Sequence, residues 1–421
     1  MTYHNAIKFI KNSPIAPPEN SSPAQRITDL RATLSNPQRK LKYIRLAGNN
    51  GKTVCARMLI SILNSAGITN GCLSMPIYSE IRDNVRINGE PITMEETVSY
   101  VEQICQAVNR MNKGKSEEEL FRPTQNEIML CIAMLAFMEH DCELCLLESD
   151  HSGNDPSKFI YLPIAAVICG KIPADDKEEI AKIRAYISRG IQEIVSIPQD
   201  TESFKIISDI CANAGCRFTV PARTNFNITR LGLRNTEFTY KDSEYSLRLC
   251  GKFQALNALV AIEACEMLVR AGYNIEREHV RLGLSTATAP CKFEVISVSP
   301  AIIADSTHSA IAISTICDSL SDFKAMTGTN IKLCLPAGAL VSQFAEALEQ
   351  RGYCIKKVSA LAEADTTESH DYPFSIKLLK TVKQTVKDAL AELDPEEILF
   401  ISGPSNFTRA IRYEMLAVLG F

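Results

Sequence analysis

A chain of 421 residues is too long for one ordinary hydrophobic core, and 46% hydrophobic with 22% charged residues excludes wholesale disorder. The formal net charge of −4 supplies no long-range positive field to gather nucleic acid or an anionic membrane, so small anions must be caught by local groups. No run approaches ~18 uninterrupted apolar residues, and the opening MTYHNAIKFIKNSPIAPPEN lacks an apolar signal segment, which predicts a cytoplasmic protein with no membrane or nucleic-acid partner.

In chain order, Tyr43 to Ala47 (YIRLA) reads as a strand, followed by a glycine-rich turn and a helix from about Thr53 to Ala66 that Gly67 ends. Asn126 to Phe137 has helical apolar spacing, and Leu144 to Leu147 and Ile164 to Cys169 continue the sheet. Gln254 to Ala271 is a second strongly helical stretch with Gly272 as its C-cap. The pattern restarts near Phe293. Strand Ile302 to Ala304, helix Ala310 to Leu320, strand Ile331 to Leu335, helix Ser342 to Gln350 and strand Ile398 to Ile401 form a second, smaller α/β unit. Two domains are therefore expected, 1–295 and 296–421, each with a mostly parallel sheet covered by helices. The fifteen cysteines are scattered through apolar runs, which suits reduced, mostly buried thiols; Cys142 and Cys145 in CELCLLE would point to opposite faces of a strand rather than share a zinc ion.

A strand feeding Gly48-Asn49-Asn50-Gly51-Lys52-Thr53 and then a helix aims backbone N–H groups at phosphate oxygens, and Lys52 adds a point charge. The general P-loop pattern has its first glycine where Leu46 stands, so this is a shortened variant. Glu148 ends an apolar strand run, at the carboxyl edge of a parallel sheet where ligands collect in such folds.

The stretch LSNPQRKLKYIRLAGNNGKT resembles the corresponding segment of the folylpolyglutamate synthase and dihydrofolate synthase family, the folate branch of the Mur-type ligases. Further resemblances follow in the same order: Leu73-Ser74-Met75-Pro76 with IRDNVRINGEPIT, LCLLES, the helix start Gly251-Lys252-Phe253-Gln254-Ala255-Leu256-Asn257-Ala258, then APCKFEVI, IIADSTHSA and ISGPSNFTRAIR. The resemblance spans nearly the whole chain. It implies a P-loop Mur-ligase-like central domain followed by a Rossmann-like C-terminal domain, and a monomeric ATP-dependent ligase working on small molecules. Its γ-phosphate would activate a carboxylate, as an acyl phosphate, for attack by an amino acid, glutamate in this family.

Carried over residue by residue, Lys52 would hold the β- and γ-phosphates with Thr53 beside the cradle, Ser74 and Glu148 would ligate Mg²⁺, and Asn257 would contact adenine. Lys292 stands where the family usually has a phosphate-binding arginine, and Asp305 and His308 would reach the nucleotide from the second domain. Taken singly, Ser74 also reads as a strand end, Glu148 as a solvated carboxylate, Asn257 as a helix cap and His308 as a surface histidine.

Several positions depart from the family pattern. Ser149-Asp150-His151-Ser152-Gly153-Asn154 replaces a glycine-rich segment with an arginine, and CGKIPADDKEE lacks the histidine of a second Mg²⁺ site, where Asp175 or Asp176 would be the substitutes. Arg184 occupies the place of a lysine that the family carbamylates, which a guanidinium cannot reproduce, and Ser309 replaces an asparagine beside His308. These departures leave two further readings beside the folate ligase: a Mur-type ligase with another acceptor, and a nucleotide-binding paralogue without ligase chemistry.

Overall fold

The computed structural model describes residues 1–48, 50–75, 80–148, 156, 163–187, 191–306, 310–362, 374–391 and 393–420. Contacts between α-carbons divide it into two compact units, Met1–Arg223 with Asn257–Leu284, and Thr224–Leu256 with Ser285–Phe421. The division is not a single cut near residue 295. Leu231, Leu233, Cys250 and Phe253 share the apolar core of the second unit with Phe293, Ile303 and Phe400, so burial assigns this stretch to the C-terminal part.

The first unit is built on an eight-stranded sheet: β1 (Tyr43–Ala47), β2 (Asn70–Leu73), β3 (Val85–Ile87), β4 (Glu90–Pro91), β5 (Leu144–Glu148), β6 (Pro163–Ile168), β7 (Glu193–Ser196) and β8 (Arg217–Thr219), in the order β4-β3-β2-β5-β1-β6-β7-β8. All pairings are parallel except β2 with β3 and β3 with β4 at one edge. Every residue of β1 and β5 is buried, Arg45 and Glu148 included, which is why neither strand alternates apolar with exposed polar residues. The expected helix at the glycine turn spans Lys52–Ser65, and the expected apolar helix spans Gln125–Glu139 with Thr124 and Glu127 closing a capping box at its start. A 19-residue helix, Met94–Asn112, carries the same device with Thr93 and Glu96. Its Tyr100, Val101 and Ile104 join Met129, Ile132 and Phe137 in one core.

Helix Arg277–Thr286 belongs to the first unit as far as Leu284, and its Gly283 is a point of close approach. A Cβ there would stand 2.5 Å from the Ile62 Cα and 2.6 Å from the Ile62 nitrogen in helix Lys52–Ser65.

The second unit holds a three-stranded antiparallel sheet, β9 (Phe226–Leu231), β10 (Thr236–Tyr240) and β11 (Ser243–Leu247), in the order β11-β10-β9. Lys241 and Asp242, with φ of 47° and 59°, make the tight β10–β11 turn. The second sheet contains β12 (Glu294–Val298), β13 (Ala301–Asp305), β14 (Asn330–Pro336), β15 (Cys354–Leu361), β16 (Ser375–Leu379) and β17 (Ile398–Ser402), in the order β12-β13-β17-β14-β15-β16. Only β12 pairs antiparallel. The three strands expected here appear as β13, β14 and β17, with helices Ala310–Ser321 and Ala339–Glu349 at the expected places. Among the described residues no helix is long and apolar enough to cross a membrane.

Candidate functional site

Three strands of the first sheet bring their carboxyl ends together. In the parallel register Leu46 of β1 lies opposite Glu148 of β5, and Leu73 of β2 lies opposite Leu147, so Ser74, one step beyond β2, arrives beside Glu148. The Ser74 hydroxyl donates to Glu148 Oε1 at 2.7 Å, and the Thr53 hydroxyl donates to Glu148 Oε2 at 2.9 Å. Two hydroxyls from two separate segments thus meet around one carboxylate that is 1% exposed.

Ser74 is held from behind. Its nitrogen donates to the Asn84 carbonyl at 2.8 Å, and Asn84 Nδ2 donates to the Ser74 carbonyl at 2.6 Å, with Asn84 fully buried. A reciprocal pair of this kind fixes the backbone from which the hydroxyl projects. Burial is the main influence on Glu148 and raises its pKa, against the opposing effects of Ser74, Thr53, Lys52 and Arg57.

The glycine turn between β1 and helix Lys52–Ser65 requires its glycines. Gly48 has φ +102°, and a Cβ on it would stand 2.7 Å from the Gly170 nitrogen; Gly51 has φ +81°, and a Cβ would stand 2.9 Å from Asn257 Oδ1 and 3.0 Å from the Cys169 carbonyl oxygen. The loop is therefore packed from below by the residues that follow β6, with the Cys169 nitrogen donating to the Ala47 carbonyl at 2.9 Å. Gly51 stands at the N-cap without a capping side chain, at the end where a helix presents its first N–H groups. Lys52 is buried, and its Nζ donates to the Gly48 carbonyl at 2.9 Å, across the turn. The buried Asn257 adjoins Gly51, and its carbonyl accepts from Cys55 Sγ at 3.8 Å.

Of the residues singled out from the sequence, Gly48, Gly51, Lys52, Thr53, Ser74, Glu148 and Asn257 gather in the first unit, where Asn50 is exposed in the same turn. Lys292 and Asp305 belong to the second unit. There Lys292 Nζ donates to the Ser306 hydroxyl at 2.8 Å, and Asp305 Oδ2 accepts from the Phe293 nitrogen at 2.7 Å. Asn49, Asp150, His151, His308 and Ser309 lie outside the described residues. Asp175 and Asp176 sit in the turn before helix Lys177–Ile187, exposed and half-buried, and Arg184 is an exposed residue of that helix. Sequence reasoning missed Asn84 and Gly170, which join the site only through tertiary packing.

The donor set suits a hard divalent cation such as Mg²⁺: one carboxylate and two hydroxyls, all oxygen, with the carboxylate in a buried setting where a cation would offset the cost of its charge. Among the described residues there is no group of three or more histidine, cysteine, aspartate or glutamate side chains able to hold a metal, so Glu148 would share a cation with hydroxyl and ligand oxygens.

No protein-family model matches the chain. It is 26% identical over 372 residues to a dihydrofolate synthase/folylpolyglutamate synthase of Bacillus subtilis, covering 83% of this chain and 81% of that one. A folylpolyglutamate synthase of Lacticaseibacillus casei is 24% identical over 326 residues, covering 73% and 74%. Among solved structures, one of folylpolyglutamate synthase in complex with AMPPCP and folate superposes with a TM-score of 0.78 at 19% identity, over 99% of this chain and 100% of that one.

Proposed function

We propose that this chain, which belongs to the dihydrofolate synthase and folylpolyglutamate synthase family, is an ATP-dependent ligase that joins a folate-type carboxylate to the amine of glutamate. The carboxylate attacks the γ-phosphorus of ATP, the bond to the β,γ-bridging oxygen breaks, and ADP leaves an acyl phosphate behind. The amine then attacks the acyl carbon, expels inorganic phosphate and gives up a proton, and the amide remains.

In this reading the N–H groups that follow Gly51 cradle phosphate oxygens, and the Lys52 ammonium turns from the Gly48 carbonyl to the β- and γ-phosphates. Ser74 and Glu148 hold Mg²⁺ with Thr53 beside them, and Asn257 packs at the adenine side. The bound cation supplies positive charge that offsets repulsion between the phosphates and the incoming carboxylate. The chain works as a monomer on small molecules.

The meeting of Thr53, Ser74 and Glu148 next to Lys52 carries the reading, because a regulatory paralogue needs no such oxygen cluster. Purified protein with Mg-ATP, glutamate and dihydropteroate or a reduced folate is expected to release phosphate only when both acceptor and glutamate are present. Lys52→Ala should lower that rate on the order of 10²-fold or more while leaving the melting profile intact. Release that requires an acid other than these two would replace the acceptor; the altered segment 149–154 favours that alternative. Nucleotide binding without any release would defeat the ligase assignment.

A further inference from the structure

The second unit contains a cavity of about 560 Å³ whose lining includes Leu233, Arg234, Arg248, Phe293, Val295 and Val298. A second cavity of about 570 Å³ shares Leu233, Arg234 and Arg248 with the first and adds Arg230 and Ser246. The shared lining makes one continuous groove past the end of the β9–β11 sheet, bounded on its far side by β12.

Charge in this groove is one-sided. Among the described residues neither the Arg234 nor the Arg248 guanidinium has an ion-pair or hydrogen-bond partner, and both are exposed. Among the described residues Arg230 is tied only to Glu237, at 3.5 Å. The acid that lines the first cavity, Glu294, is already occupied: Arg412 donates to its two oxygens at 2.6 and 2.7 Å, and the Cys291 nitrogen donates to it at 2.9 Å. Two unneutralised forks therefore line the same cavity as the apolar Leu233, Val295 and Val298. Planar guanidinium groups bind carboxylate and phosphate in bidentate fashion, and an open groove lined this way selects an anion with a carbon skeleton. A polyphosphate is charged along its whole length and would gain nothing from the apolar wall; carboxylates spaced by methylene groups suit both features.

From this groove we infer a second ligand site, outside the nucleotide loop, that takes a small flexible polycarboxylate through Arg234 and Arg248. The inference does not depend on the proposed reaction, since none of its residues lies in the first unit.

Titration calorimetry of the full chain with γ-linked triglutamate tests it, with tripolyphosphate as the comparison anion. Wild type is expected to bind triglutamate, more weakly as salt rises. Arg234→Gln with Arg248→Gln should weaken binding by on the order of tenfold or more, while Lys52→Ala leaves it unchanged. Both arginines are exposed, and circular dichroism melts will verify that the double variant folds as wild type does. No heat from wild type at millimolar ligand would overturn the inference. So would equal affinity in the double variant, or loss in Lys52→Ala, which would place the ligand at the nucleotide loop. Tighter binding of tripolyphosphate that the double variant abolishes would overturn the carboxylate assignment.

Discussion

A carboxylate sealed from water between two hydroxyl donors is an unstable companion for a fold without a cation to face it. Burial holds the pKa of Glu148 above the ordinary carboxylate range, so the folded chain binds this proton more tightly than the unfolded chain does. Stability from this group is therefore complete below the unfolded pKa and is lost as pH rises through the raised folded value. Glu148→Gln removes the dependence. It should raise the melting temperature of metal-free protein at about pH 7.5 more than at about pH 5, while ligase turnover is lost. Scanning calorimetry at the two pH values checks the sign, and an equal shift at both would contradict it. Buried thiols differ: burial pushes Cys72, beside this site, up to about 12, so it adds no comparable charge at neutral pH.

The turn between β1 and helix Lys52–Ser65 is an element in which conformation and contact make the same demand. Gly51→Ala must place a side chain at φ +81°, which costs about 1–2 kcal/mol, and must also crowd Asn257 Oδ1 and the Cys169 carbonyl. A lower melting temperature and loss of affinity for a non-hydrolysable ATP analogue are expected; calorimetric titration giving wild-type affinity would refute the packing argument. Such turns are legible in sequence because strand, glycine and helix are neighbours in the chain. Glu148 was legible for a similar reason, as an acid closing an apolar run. Ser74 could be read only by resemblance, since its partner lies 74 residues away and register alone unites them. The β9–β11 meander was passed over, although Phe238, Tyr240, Tyr245 and Leu247 alternate with polar residues around the Lys241-Asp242 turn. Leu231 at the end of β9 and Leu233 just beyond it share the apolar core of the second unit, so a single cut near 295 divides residues that pack together.

At the scale of the whole molecule, each unit owns a separate apolar core, Tyr100 with Phe137 in the first and Phe344 with Phe400 in the second. Chains of this kind depart from two-state unfolding, so two calorimetric transitions are expected. A nucleotide bound at the Gly48–Thr53 loop should raise one of them and leave the other nearly fixed. A single transition that shifts as a whole would show the units melting together. Within the first unit, the contact between Gly283 and Ile62 has a wider implication. The helix that presents Lys52 and Thr53 leans on a neighbour with no room for even one methyl, so its aim is governed by a residue that never meets a nucleotide. Gly283→Ala should act as a remote wedge, raising KM for ATP while KM for the acid acceptor holds. Variation far along the chain can thus detune the grip on triphosphate with every ligand-touching group still in place.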